Sequence, residues 1–146
     1  MPCSTAPNQE VSPIASDAPD VSVLIVDDQA PFRSVAGTVV RLAPGFAVMG
    51  EVESGEDAVA TAAASHPDLV LMDINLPGIN GIEATRRILA DAPDTVVILL
   101  STYTEADLPS DARVCGAASY VHKEDFSPAV ITSVWAEHHP DGHGPT

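Results

Sequence analysis

The sequence predicts an α/β protein, a doubly wound parallel sheet of five strands alternating with five helices and covered on both faces. Three observations carry this expectation. Short apolar runs recur along the chain: Val21 to Val26, Phe46 to Val52, Leu69 to Met72, Thr95 to Leu100 and Ala118 to His122. Runs so short and so continuous mark strands buried on both faces. Between them lie segments with apolar residues at helical spacing. Finally, four of the five runs end in residues with chemical capacity: Asp27-Asp28, Asp73, Ser101 and Lys123.

Residues 1–20 are rich in Pro, Ser, Ala and Asp without periodicity and read as a disordered leader. After the first strand, Pro31 suits the first turn of a helix, and Phe32, Val35, Ala36, Val39 and Val40 follow at helical spacing. Pro44-Gly45 stops that helix. Ser54, with Asp57 three residues on, resembles a capping box and opens an Ala-rich helix to about Ser65. The central strand is followed by a Leu76-Pro77-Gly78 turn and a helix from Gly81 to Ala90, with Ile82, Thr85, Ile88 and Leu89 on one side. An irregular stretch from Tyr103 to Gly116 follows the fourth strand. Pro109 is tolerated there only in a first turn, so the fourth helix should be short, from Leu108 to Cys115. Ser127-Pro128 caps the last helix, which carries Val130, Ile131, Val134 and Trp135, and residues 138–146 read as a disordered tail. The expected domain therefore spans 21–137.

The chain of 146 residues allows one domain with a proper core. It has no apolar segment long enough to span a bilayer and no basic-then-apolar start, which predicts a soluble, cytoplasmic protein without membrane contact. Cys3 and Cys115 form no disulfide framework and have no metal-ligand spacing. A net charge of −15, from six Lys and Arg against 21 Asp and Glu, repels a phosphate backbone and excludes direct DNA binding.

In open α/β sheets, ligands gather at the carboxyl ends of the strands. With the flavodoxin-like strand order 2-1-3-4-5, the first and third strands are neighbours at the topological switch point, and Asp27, Asp28 and Asp73 meet. Such like charges repel by several kcal/mol at an effective dielectric of about 20 and stay ionised together only around a cation. Hard oxygen ligands in a compact, partly hydrated site suit Mg²⁺. A carboxylate beside Mg²⁺, a lysine and a hydroxyl is a set of parts for phosphoryl transfer. Asp73 would be the nucleophile, while Lys123 and Ser101 would stabilise the transferring group.

The stretches VLIVDDQ, DLVLMDINLPGINGIEATRRI, ILLST and SYVHK, in that order, resemble the receiver domains of bacterial two-component response regulators. The wording around Asp73 is most similar to the branch that usually carries a LuxR/NarL-type helix-turn-helix. The resemblance covers Val21 to Glu137. It implies that Asp73 accepts phosphate from a sensor histidine kinase. It further implies that Asp28, Asp73 and the main-chain carbonyl of Asn75 bind Mg²⁺ with Asp27 assisting, that Ser101 is the switch hydroxyl, Tyr120 the switch aromatic and Lys123 the phosphate-binding cation. Such a domain catalyses only its own phosphorylation and dephosphorylation and is not otherwise an enzyme. Glu124 departs from the family, which often has proline there, as do Thr102 and the short fourth helix.

Taken singly, each site residue has a plainer reading. Asp73 could start a turn, Asp27-Asp28 could complement a helix dipole, and Lys123 could be a solvated strand end. Those readings fail jointly, because all these residues fall at carboxyl strand ends of one sheet. Tyr120 competes with half-buried packing, and His138, His139 and His143 read as tail residues. Two other functions compete with this reading. A Mg²⁺-dependent phosphatase or phosphotransferase with an aspartyl nucleophile needs a second Asp where Asn75 stands, and usually a cap domain. A phosphorylation-independent interaction module does not need the intact acid pair, acceptor and lysine. Tyr103, two residues past Ser101, offers a ring to cover the water approach, which predicts a long-lived acyl phosphate. Eleven residues follow Trp135, fewer than a helix-turn-helix needs. Output is therefore expected through contact with another protein or with itself, at the face of the fourth helix, fifth strand and fifth helix (α4-β5-α5).

Overall fold

Backbone N–H and C=O groups inside a buried apolar run must find partners in other runs, and here they do so within one parallel sheet. The computed structural model describes residues 20–102 and 115–138. The strands are β1 (Val21–Val26), β2 (Phe46–Val52), β3 (Leu69–Asp73), β4 (Val96–Ser101) and β5 (Ser119–His122). Their order is β2-β1-β3-β4-β5, with all four pairings parallel, which is the expected 2-1-3-4-5 arrangement. The β1–β2 register shifts between Val23 and Leu24, where Met49 is skipped.

The helices among the described residues are α1 (Ala30–Leu42), α2 (Gly55–Ser65), α3 (Gly81–Asp91) and a C-terminal helix (Pro128–His138). Side chains alternate across the strands. Val23, Ile25, Leu69, Leu71 and Ile98 therefore pack with α1 and the C-terminal helix, where Trp135 meets Phe46 edge-on at 6.0 Å. Leu24, Val26, Val70, Met72 and Leu99 pack with α2 and α3. Two cores, one on each face, hold the sheet rigid and fix where its strand ends lie. No helix among the described residues is long and apolar enough to cross a membrane.

Local signals place the helix ends. Pro31 lies in the first turn of α1. Ser54 Oγ accepts the Asp57 N–H at 3.1 Å, Asn80 Oδ1 accepts that of Glu83 at 2.9 Å, and Ser127 Oγ accepts that of Val130 at 3.3 Å. Four strand boundaries differ by one residue from expectation: β3 extends to include Asp73, β4 starts at Val96 and ends at Ser101, and β5 starts at Ser119.

Not every apolar residue at helical spacing in α1 faces the core. Val35 is 54% exposed, because the buried stripe centres on Ala36 and Val40 with Gly37 beside them. Steps of about 100° per residue put Val35 beyond the stripe's edge. The short fourth helix, Tyr103, the leader 1–19 and the tail 139–146 fall outside the described residues. Cys115, at the end of that expected helix, is buried.

Candidate functional site

The sheet delivers its polar residues to one edge. Asp27 directly follows β1 and stays tied to β2, its N–H donating to the Val52 carbonyl at 3.1 Å. It is 1% exposed, and its two oxygens are both engaged: Oδ1 accepts the Gln29 N–H at 2.8 Å and Oδ2 accepts Lys123 Nζ at 2.7 Å. Asp28, next in the bend, is exposed. Asp73 closes β3 and is 4% exposed, with Oδ1 accepting the Asn75 N–H at 3.2 Å. Because β1 and β3 are adjacent, one carboxylate oxygen of each of Asp27, Asp28 and Asp73 lies within 4.8 Å of the others.

Lys123 begins the turn after β5, 96 residues from Asp27 in the chain, and the parallel pairing of β5 with β4 brings it to the same edge. Its Nζ is 3.6 Å from Asp73 Oδ1 and 4.5 Å from the centre of the Phe32 ring, which itself packs against Phe126. The expectation that only a bound cation could keep these acids together is thus modified: the chain supplies an ammonium of its own. That ammonium contacts Asp27 more closely than Asp73. Burial, then the Asp27 charge, pushes the Asp73 carboxyl up to about 6, against the pull of Lys123 and the Asn75 N–H.

Ser101 is buried at the end of β4, one residue beyond the Leu100 that pairs with Asp73. Asn75 is exposed in the loop after β3. Tyr120 is half-buried in β5, against the core shared with α2 and α3. The edge thus gathers Asp27, Asp28, Asp73 and Lys123 in direct proximity, with Ser101 and Asn75 on the flanking strand end and loop.

Four contributors escaped the sequence reading. Arg33 Nη1 donates to the Asp27 carbonyl at 2.7 Å, and Phe32 supports Lys123. His122 accepts the Glu124 N–H at Nδ1 (3.1 Å), so its Nε2 carries the proton and donates to the Thr102 carbonyl at 3.1 Å, tying the end of β4 to the Lys123 turn. Glu56 of α2 accepts the Ile79 N–H in the loop after Asp73. The Asp-Asp-Gln-Ala-Pro-Phe-Arg run held a signal for Phe32 and Arg33, since both lie in the first turn of the helix that follows the acid pair. No local pattern marks His122 or Glu56.

Comparison with known proteins identifies the family. The family described as the response regulator receiver domain matches residues 23–134. The chain is similar to the response regulator UvrY of Escherichia coli O6:H1, 38% identical over 114 residues, which are 78% of this chain and 52% of that protein. It spans about half the length of the curated relatives it matches. A LuxR-family response regulator from Aurantimonas sp. SI85-9A1 superposes with a TM-score of 0.73 at 28% identity, covering 83% of this chain and 86% of that one. A chain of the CheX–CheY–BeF3–Mg²⁺ complex from Borrelia burgdorferi superposes with a TM-score of 0.67 at 26% identity, covering 80% of this chain and 87% of that one. With this fold, this strand-end chemistry and a family match over most of its length, the chain belongs to the receiver domains of two-component response regulators.

Proposed function

We propose that Asp73 is the phosphoacceptor and that it takes a phosphoryl group from the phosphohistidine of a sensor histidine kinase. The observation that carries this is the placement of a buried carboxylate at a strand end between two further acids and a lysine ammonium. An Asp73 oxygen forms the new O–P bond as the donor's P–N bond breaks, and the imidazole nitrogen keeps the electron pair. Lys123, already 3.6 Å from Asp73, turns from Asp27 to the arriving phosphoryl oxygens, and Ser101 donates its hydroxyl to one of them.

The donor set fits Mg²⁺. It offers hard oxygens, of which Asp28 faces solvent, and its crowding of negative charge is what a cation relieves. Asp28, Asp73 and the Asn75 carbonyl would hold the ion, with Asp27 assisting. When bound, it neutralises charge on the phosphoryl oxygens. One matched structure contains Mg²⁺ and BeF3 with a CheY protein, which supports this choice of cation.

On this reading the domain, taken as residues 21–137, catalyses only its own phosphorylation and dephosphorylation in the cytoplasm. Its output is a change at the face of β5 and the C-terminal helix, with Tyr120 as the switch aromatic, contacting another protein or a second copy rather than DNA. Incubation with acetyl phosphate followed by intact-mass measurement tests the reading. One phosphoryl adduct is expected, only with a divalent cation and not in Asp73→Asn, with Asp28→Ala needing more Mg²⁺. Labelling that persists in Asp73→Asn would sink the assignment.

A further inference from the structure

The seven-residue loop between β3 and α3, Ile74 to Asn80, begins at Asp73 and carries Asn75. Its ends are anchored by its own main chain and by the sheet: Ile74 N–H donates to the Leu100 carbonyl at 3.0 Å, and Gly81 N–H donates back to the Ile74 carbonyl at 2.9 Å. Its far side is gripped by another element. Glu56, in the first turn of α2, receives the Ile79 N–H on Oε2 at 3.1 Å. Gly78 beside it has φ +74°, and its open side is filled by the same carboxylate, one oxygen of which would lie 2.9 Å from a Cβ there. Any side chain at position 78 would be strained by the backbone and would also push Glu56 off. Glu56 and Gly78 therefore fit each other. The Glu56 carboxyl is held below the usual range by its own N–H and by that of Ile79, so the charged acceptor persists at neutral pH.

We propose that Glu56 is a positioning residue for the cation site. By holding Gly78 and Ile79 against α2, it keeps the loop in the one path that sets the Asn75 N–H on Asp73 Oδ1 and from which the Asn75 carbonyl would reach the cation. This rests on the cation reading of Asp27, Asp28 and Asp73. Glu56 touches no reacting atom and acts through the loop. Because it belongs to α2, it also ties the site to the α2–α3 layer, away from the β5 edge where output is proposed.

Calorimetric titration of the whole chain with Mg²⁺ alone, for wild type, Glu56→Ala and Glu56→Gln, tests the proposal. The position is exposed and helical, so both variants should fold. Glu56→Ala is expected to bind Mg²⁺ roughly threefold to tenfold more weakly, the order of effect of losing one ordinary hydrogen bond at an exposed position. Glu56→Gln keeps an acceptor oxygen and should stay within about twofold of wild type. Unchanged affinity in Glu56→Ala overturns the proposal. Equal losses in both variants overturn it too, because they would assign the effect to charge rather than to the grip on Ile79. Should the wild-type chain bind no Mg²⁺, the cation reading fails first. The grip is then judged by amide exchange at Asn75: faster exchange in Glu56→Ala upholds it and unchanged exchange overturns it.

Discussion

At the scale of single residues, the Asp73 carboxyl carries a cost that its position imposes. Its acidity is weakened to about 6 by burial and by Asp27, so the folded chain binds this proton more tightly than the unfolded chain does. The sign follows: Asp73 favours the folded state below the unfolded value near 4, and that contribution is lost as pH rises through about 6. At pH 7 the ionised acid is therefore destabilising. Asp73→Asn should be more stable than wild type there by about 2 kcal/mol, a gap that closes below about pH 4. Urea titration across this range checks it, and a pH-independent gap would remove the electrostatic explanation. Mg²⁺ should narrow the gap at pH 7 by stabilising the wild-type chain, since binding to the folded state raises its stability.

At the scale of elements, the junction of β3 and α3 decides where Asp73 points. The first residue of α3, Gly81, lies so close to the Asp73 carbonyl that a Cβ would collide with it, and the colliding atoms are backbone with no rotamer to yield. Gly81→Ala should cost about 2 kcal/mol or more in denaturant unfolding and should lower phosphoryl uptake as Asp73 shifts. A variant of wild-type stability would show that this contact is not limiting.

The same junction shows what was legible in the sequence. Ser54, Pro31 and Ser127-Pro128 announced their helices because capping and first-turn rules are local. The acids, Ser101 and Lys123 were legible because strand ends are local too, and one strand order then brings them together. Val35 keeps the helical spacing yet lies outside the core, because spacing gives a stripe without its centre. Gly81 was legible as a helix start but not as a contact with Asp73. Glu56 and His122 act on loops through hydrogen bonds set by packing, across 23 residues for Glu56 and Ile79 and 20 for His122 and Thr102, and no periodicity records those.

At the scale of the whole molecule, the doubly covered sheet is a rigid frame with its chemistry on one rim. One flank of that rim leads through Ser101, Thr102 and His122 to β5 and the C-terminal helix. On the proposed function, phosphorylation would draw Lys123 and Ser101 toward Asp73 and pull on this flank, and a phosphoryl group that makes more contacts in one arrangement shifts the population toward it. Amide exchange should therefore change mainly between Thr102 and Asp125 on phosphorylation, with α1 little affected. Changes confined to α1 would point to another output face.

Of the three neighbouring carboxylates, the proposed carrier of the phosphoryl group is Asp73. Reduction of the acyl phosphate with borohydride, followed by peptide mapping, reads this directly because the phosphorylated aspartate becomes homoserine. Homoserine is expected at position 73 in the Mg²⁺-treated sample and none without the cation. Homoserine at position 27 or 28 would contradict it.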